Sequence, residues 1–168
     1  LVRVTEQIRK ESTQRFLETY EKIKKNFHMM FRRLFGGGRA ELRLMDPQNV
    51  LESGIDILAQ PPGKKLENVA LLSGGERSLT AIALLFATYL VKPSPFCILD
   101  EIDAALDEEN VGRFTSLLGE FADTSQFLII THNKRTVASA STLIGITMEE
   151  SGVSKIIGLR LKEESRYA

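Results

Sequence analysis

The opening of the chain carries apolar residues at three- and four-residue steps. Leu1, Val4 and Ile8, then Phe16, Tyr20, Ile23, Phe27, Met30 and Leu34, share one stripe, and neither proline nor glycine interrupts it. This pattern predicts one long amphipathic helix. Its first turns are polar outside a narrow seam, which fits the end of a coiled coil. After Phe16 the stripe fits a surface helix covering a sheet. Gly36-Gly37-Gly38 ends the helix and reads as a flexible turn. Ala40 to Met45 alternates like a half-buried strand, Asp46-Pro47-Gln48-Asn49 reads as a turn, and Gly54 to Gln60 alternates again. The two alternating segments are expected to pair antiparallel.

A second periodic stretch runs from Ser73 to Val91, with Leu79, Ile82, Ala83, Phe86, Ala87 and Leu90 forming a wide apolar face. Phe96 to Leu99 and Phe127 to Ile130 contain no polar side chain, the pattern of strands buried on both faces of a parallel sheet. Between them, Asp107 to Phe121 places Val111, Phe114, Leu118 and Phe121 on one helical face. Strand, helix, strand predicts a βαβ unit with a right-handed crossover. Asn133 to Ala140 reads as a short helix. Thr142 to Met148 and Ser154 to Leu159 read as strands around a turn at Glu150-Ser151-Gly152. Lys162 to Ala168 reads as a polar, mobile tail. The fold class is α/β.

Composition adds bounds. With 168 residues the chain is long enough for one domain with a sizeable core, and 43% hydrophobic with 26% charged residues is ordinary for a globular protein. Formal net charge is zero, so any nucleic-acid contact must come from a local patch. Lys22, Lys24, Lys25, Arg32 and Arg33 make the first helix basic in places. They read as a solvated face, with a DNA-phosphate role as the alternative. His28 is given no chemistry. Cys97, the single cysteine, falls inside an apolar strand and reads as a packed core residue rather than a reactive one. No apolar run reaches transmembrane length and no signal peptide is visible, so a reducing cytoplasm is expected. The start at Leu1, in mid-pattern and without Met, reads as part of something longer.

Two places carry chemistry. In Leu72-Ser73-Gly74-Gly75-Glu76, Ser73 and Glu76 form the Ser-x-x-Glu capping box, which alone explains both residues. The glycines are not explained that way, because glycine weakens a helix start. They make sense where a ligand approaches the backbone, and helix-start N–H groups with the dipole behind them hold anions. The second place is the end of each apolar strand: Asp100-Glu101 after one, Thr131-His132 after the other. Open α/β sheets bind ligands at the carboxyl ends of strands, so Asp100, Glu101 and His132 should converge. The carboxylates could hold a metal ion and a water. Three carboxylates crowd Asp100-Glu101-Ile102-Asp103; for His132 alone, merely ending a strand remains an open reading. Together these features suggest a nucleotide polyphosphate and Mg²⁺.

Leu72 to Glu76 resembles the signature motif of the ATP-binding-cassette superfamily. Phe96 to Glu101 resembles its Walker B strand, Ala104-Ala105-Leu106-Asp107 its D-loop, and Thr131-His132-Asn133-Lys134 its switch-histidine loop. Glu76, the run Lys92-Pro93-Ser94-Pro95-Phe96 and the Thr-His-Asn-Lys loop are similar to the SMC family, in particular its bacterial chromosome type. The resemblance spans about Phe31 to Leu161. It implies ATP and Mg²⁺ as cofactors, with Asp100 helping to hold the metal, Glu101 polarising the attacking water and His132 contacting the γ-phosphate. It implies that Ser73, Gly74, Gly75 and Glu76 form the signature that meets ATP on an opposing head, and that Asp107 couples two sites across the interface.

No Gly-x-x-x-x-Gly-Lys-[Ser/Thr] phosphate loop occurs in the chain: Gly36-Gly37-Gly38 lacks the lysine and hydroxyl, and Pro61 to Lys65 lacks the preceding glycine. By resemblance the chain is then the carboxy-terminal lobe of an SMC head: a P-loop-NTPase-like parallel core flanked by helices. Residues 1–15 would be the end of the coiled-coil arm, 16–161 the lobe and 162–168 the tail. The implied partners are the amino-terminal lobe of the same head, a second head, a kleisin subunit and DNA, in chromosome condensation and segregation near the nucleoid, with no membrane. Alone, the chain is expected to bind little ATP and turn none over. Three alternatives stay open: an SMC-like DNA-repair ATPase, a transporter nucleotide-binding domain (against which Glu76 and the entry helix speak), and a kleisin-docking module using Thr142 to Leu161.

Overall fold

A computed structural model describes residues 2–160; the expected polar tail, residues 162–168, lies outside the described residues. Helix α1 runs Val2–Phe35, strand β1 Arg39–Leu44, β2 Ile55–Gln60 and β3 Glu67–Asn68. A 3₁₀ turn, Val69–Leu71, leads into α2, Gly74–Tyr89. Then follow β4 (Phe96–Asp100), α3 (Glu108–Phe121), β5 (Gln126–Ile130), α4 (Lys134–Ser139), β6 (Thr142–Glu150) and β7 (Val153–Arg160). Strands β1, β2 and β3 form an antiparallel sheet, β4 and β5 a parallel pair, and β6 and β7 a hairpin. The alternating pair is antiparallel as expected, with Ala40 opposite Ala59. The strand–helix–strand unit is present, with Leu99 opposite Ile129.

One core holds α1, β1, α2, α3 and the inner face of β4–β5 together. Phe27, Phe31 and Leu34 of α1 are fully buried beside Leu79, Ile82, Ala83 and Phe86 of α2. The Phe86 ring stacks on Phe121 at 5.4 Å between centroids and also meets Phe114 and Phe127 at 6.4 Å. Offset and tilted rings of this kind add to the area they bury. Buried polar groups are answered: Tyr20 donates its hydroxyl to the Leu42 carbonyl at 2.7 Å, tying α1 to β1. The first turns of α1 behave differently, with Val4 and Ile8 exposed on the seam.

Two sequence expectations are corrected. Strands β4 and β5 bury one face only. Cys97, Leu99, Phe127 and Ile129 turn to the core, while Phe96, Ile98, Leu128 and Ile130 are open, Ile98 at 58%. Helices cover only the inner face among the described residues, so the parallel core is a pair flanked on one side. Gly36-Gly37-Gly38 is a tight crossing rather than a flexible turn. All three residues have positive φ, and a Cβ on Gly38 would lie 2.2 Å from the Gln60 carbonyl oxygen. Gly36 caps α1 in left-handed backbone, with Gly37 N–H on the Arg32 carbonyl at 2.9 Å. Strand β3 and the 3₁₀ turn were not foreseen; at two and three residues they are too short to leave a period. The β6–β7 hairpin forms as expected, but Ile144, Ile146, Met148 and Ile156 on one side and Ile157 and Leu159 on the other are all exposed, Ile156 at 71%. Among the described residues no helix is long and apolar enough to cross a membrane.

Candidate functional site

Helix α2 begins as its sequence dictates. Ser73 is the N-cap, Glu76 completes the capping box, and Ser73 Oγ also donates to Glu76 Oε2 at 2.8 Å. Lys64, from the loop after β2, donates to the same carboxylate at 3.0 Å. That bond holds Glu76 below the ordinary carboxylate range against the opposing effect of burial, with Ser73 adding to the lowering. The two glycines differ. Gly74 is exposed, and nothing lies within 4 Å of a Cβ built on it. A Cβ on Gly75 would stand 3.1 Å from the Ala105 carbonyl oxygen, so Gly75 lets the start of α2 press on the loop before α3. That packing accounts for Gly75, a reason the sequence did not offer.

At the other place, the strand register sets Asp100 opposite Ile130, so the loops after β4 and β5 leave side by side. Glu101 N–H donates to the Ile130 carbonyl at 2.9 Å. Glu101 adopts φ 47, the one non-glycine residue with positive φ among the described residues. Such backbone costs about 1–3 kcal/mol and persists only where surroundings enforce it. His132 Nδ1 stands 3.7 Å from Glu101 Oε1, with both side chains exposed. This is too long for a hydrogen bond, but an ion pair when the imidazole is protonated. The expected convergence is met for Glu101 and His132. Asp100 is exposed on the adjoining strand end, and among the described residues its side chain is not bonded to Glu101 or His132.

Asp107 caps α3, accepting from Asn110 N–H at 2.8 Å and from its side-chain amide at 3.1 Å. Its place in the fold is thus explained locally. Three participants were not singled out in the sequence: Asp103 as a buried anchor, Thr136 and Arg135. Asp103 accepts from the hydroxyls of Thr131 and Thr136. Arg135 donates to the Glu108 carbonyl at 2.7 Å and lies across Gly112, binding α4 to the start of α3. Crowded carboxylates hinted at Asp103; Thr136 left no signal, being one hydroxyl in a short helical pattern.

The donor set is partial. Among the described residues no group of three or more His, Cys, Asp or Glu could hold a metal. A single aspartate suits Mg²⁺, which takes one or two carboxylates and completes its shell with water and phosphate oxygens. The exposed Asp100 carboxylate could serve as one such ligand, and the helix start at the exposed, unobstructed Gly74 is the kind that can hold an anion. The Cys97 thiol is pushed up by burial, as a packed core residue should be.

The sequence model of the RecF/RecN/SMC N-terminal domain family matches residues 3–155. The chromosome partition protein Smc of Bacillus subtilis (strain 168) is 55% identical over 167 residues, 99% of this chain and 14% of that protein. The chain thus spans about a seventh of the length of that relative. The Smc head domain with an extended coiled coil from Pyrococcus furiosus, solved bound to the C-terminal domain of ScpA, is 41% identical with TM-score 0.85, over 95% of this chain and 40% of that one. A chain from work on ATP-driven dimerization and DNA-stimulated activation of SMC ATPases is 41% identical with TM-score 0.81, over 89% of this chain and 90% of that one. The α/β fold thus matches SMC ATPase head structures. The matched span holds the start of α2, the acidic loop after β4 and the His132 loop, and the chain belongs to the RecF/RecN/SMC N-terminal domain family.

Proposed function

We propose that this chain is the carboxy-terminal half of an SMC ATPase head of the bacterial chromosome type. It supplies one half of a composite ATP site and the signature for a second head. The carrying observation is the 3.7 Å approach of His132 to Glu101 at the ends of paired parallel strands, with Gly74 exposed and unobstructed at a separate helix start. The absence of a phosphate loop from the 168 residues, and the uncovered outer face of β4–β5, both favour an amino-terminal lobe as the missing half.

In this reading Asp100 would help hold Mg²⁺, which would supply charge neutralisation at the phosphates. Glu101 accepts a proton from the attacking water and orients it. His132 donates to the γ-phosphate of the same nucleotide. Phosphoryl transfer of this kind relies on positioning and charge compensation rather than covalent catalysis. Ser73, Gly74 and Gly75 meet the γ-phosphate of ATP on the opposing head, with the helix dipole behind them. Glu76, held by Ser73 and Lys64, keeps that helix start rigid, and Asp107 lies where the two heads meet.

The test is assembly. Alone, the chain should show no micromolar ATP affinity and no turnover by calorimetry and phosphate release. Joined to the amino-terminal lobe it should bind and hydrolyse ATP. Glu101→Gln should then keep binding, stop hydrolysis and trap engaged heads; Ser73→Arg should block engagement. Micromolar ATP binding by the lone chain, or ATP-driven dimerisation unaffected by Ser73→Arg, would refute the reading.

A second reading assigns the β6–β7 hairpin to a kleisin. Its apolar side chains are exposed on both faces, and the Pyrococcus furiosus relative was solved with a ScpA domain bound. A pull-down of a kleisin carboxy-terminal fragment without ATP separates this docking from catalysis; loss of capture on Ile146→Asp would support it.

A further inference from the structure

Asp103 is 2% exposed and carries the most deeply buried carboxyl of the described residues. No Lys or Arg is ion-paired to it among them. Its partners are hydroxyls: Thr131 Oγ1 lies 3.0 and 2.8 Å from its two oxygens, and Thr136 Oγ1 lies 2.5 Å from Oδ2. A buried carboxyl is costly unless its oxygens are satisfied, so these donors fix where Asp103 can sit. The chain of bonds continues, because Thr131 Oγ1 also accepts the Asn133 N–H at 3.0 Å. Asn133 in turn caps α4, accepting from Arg135 N–H at 2.9 Å.

The consequence lies in what these bonds bracket. Thr131 and Asn133 flank His132, so their bond sets the loop carrying the imidazole. Asp103 lies two residues beyond Glu101, and Leu106 N–H donates to the Asp103 carbonyl at 3.1 Å while Ala104 N–H donates to the Glu101 carbonyl at 3.1 Å. The turn holding Glu101 at φ 47 is therefore pinned at one end to β5, through Ile130, and at the other to α4, through Asp103. Both side chains are exposed, and among the described residues neither has another hydrogen-bond or ion-pair partner to hold it at 3.7 Å.

We propose that Asp103, through Thr131 and Thr136, is a positioning residue that locks the Glu101 turn to the His132 loop. This rests on the ATPase reading above for its catalytic consequence, but the lock itself does not. Removing a hydroxyl leaves a buried carboxyl oxygen short of a donor, and the two loops part.

Two measurements test it. In the head assembled with its amino-terminal lobe, Thr131→Val and Thr136→Val should lower kcat for ATP about 10- to 100-fold, the scale of small misplacements of catalytic groups, with KM unchanged. Thr131→Ser and Thr136→Ser, which keep the hydroxyl, should restore kcat. In the 168-residue chain, amide exchange at Asn133 should accelerate in Thr131→Val and in Asp103→Asn, and stay as in the parent in Thr131→Ser. Wild-type kcat in both valine variants, equal loss in valine and serine variants, or unchanged Asn133 exchange overturns the proposal. If the unsubstituted assembled head has no ATPase activity, the functional reading fails, while the exchange experiment still decides the lock. Should Asp103→Asn fail to fold, the threonine pairs decide alone.

Discussion

Single atoms decide several features of this chain. Gly38 crosses β2 so closely that a methyl group would meet the Gln60 carbonyl oxygen at 2.2 Å, on backbone with φ 78. Gly38→Ala should destabilise the chain by about 2 kcal/mol or more, combining backbone strain with overlap, read as a lower denaturant midpoint with unchanged slope. Glu76 gives a pH signature. Its folded pKa is depressed, chiefly by Lys64, so its contribution is complete above the ordinary glutamate value and lost as pH falls through the lower, folded one. Lys64→Ala should reduce that dependence, with melting curves of parent and variant converging as the solution is acidified. At this scale the sequence was readable where an interaction is local. The capping box of Ser73 and Glu76 closes within one turn and is present as expected. The bonds of Asp103 to Thr131 and Thr136 span 28 and 33 residues, and no local pattern announces them.

Elements were readable from their periods. Helices α1, α2 and α3 and the paired strands fall where apolar spacing put them, because each buries one stripe or one face. Where both faces of a strand are apolar, the pattern says that both should be covered but not by what. Hence β4 and β5 were expected to be enclosed, and are enclosed on one side. Two substitutions separate those sides. Phe86, fully buried among Phe114, Phe121 and Phe127, should cost about 3–5 kcal/mol when cut to alanine, measured by urea unfolding. Ile98→Thr, on the open face, should leave the lone chain's stability nearly unchanged and, by the proposed reading, weaken binding of the amino-terminal lobe, measured by calorimetry. A loss of stability from Ile98→Thr equal to that from Phe86→Ala would show that this face is already covered.

On the scale of the whole molecule, the outer face of β4–β5 and both faces of the β6–β7 hairpin lie uncovered among the described residues. Large apolar patches mark surfaces that meet another chain. A partner binding only the folded state raises its melting temperature in step with partner concentration. By the proposed reading, titrating the amino-terminal lobe should raise the melting temperature and lower, without abolishing, the fluorescence of a hydrophobic dye; a melting temperature unmoved at saturation would sink the match. The left-handed backbone at Glu101 bears on the molecule as a whole. Glycine would occupy φ 47 without strain. A library screened for heat resistance alone should thus enrich Glu101→Gly, and by the proposed reading its hardiest survivors would be inert towards ATP.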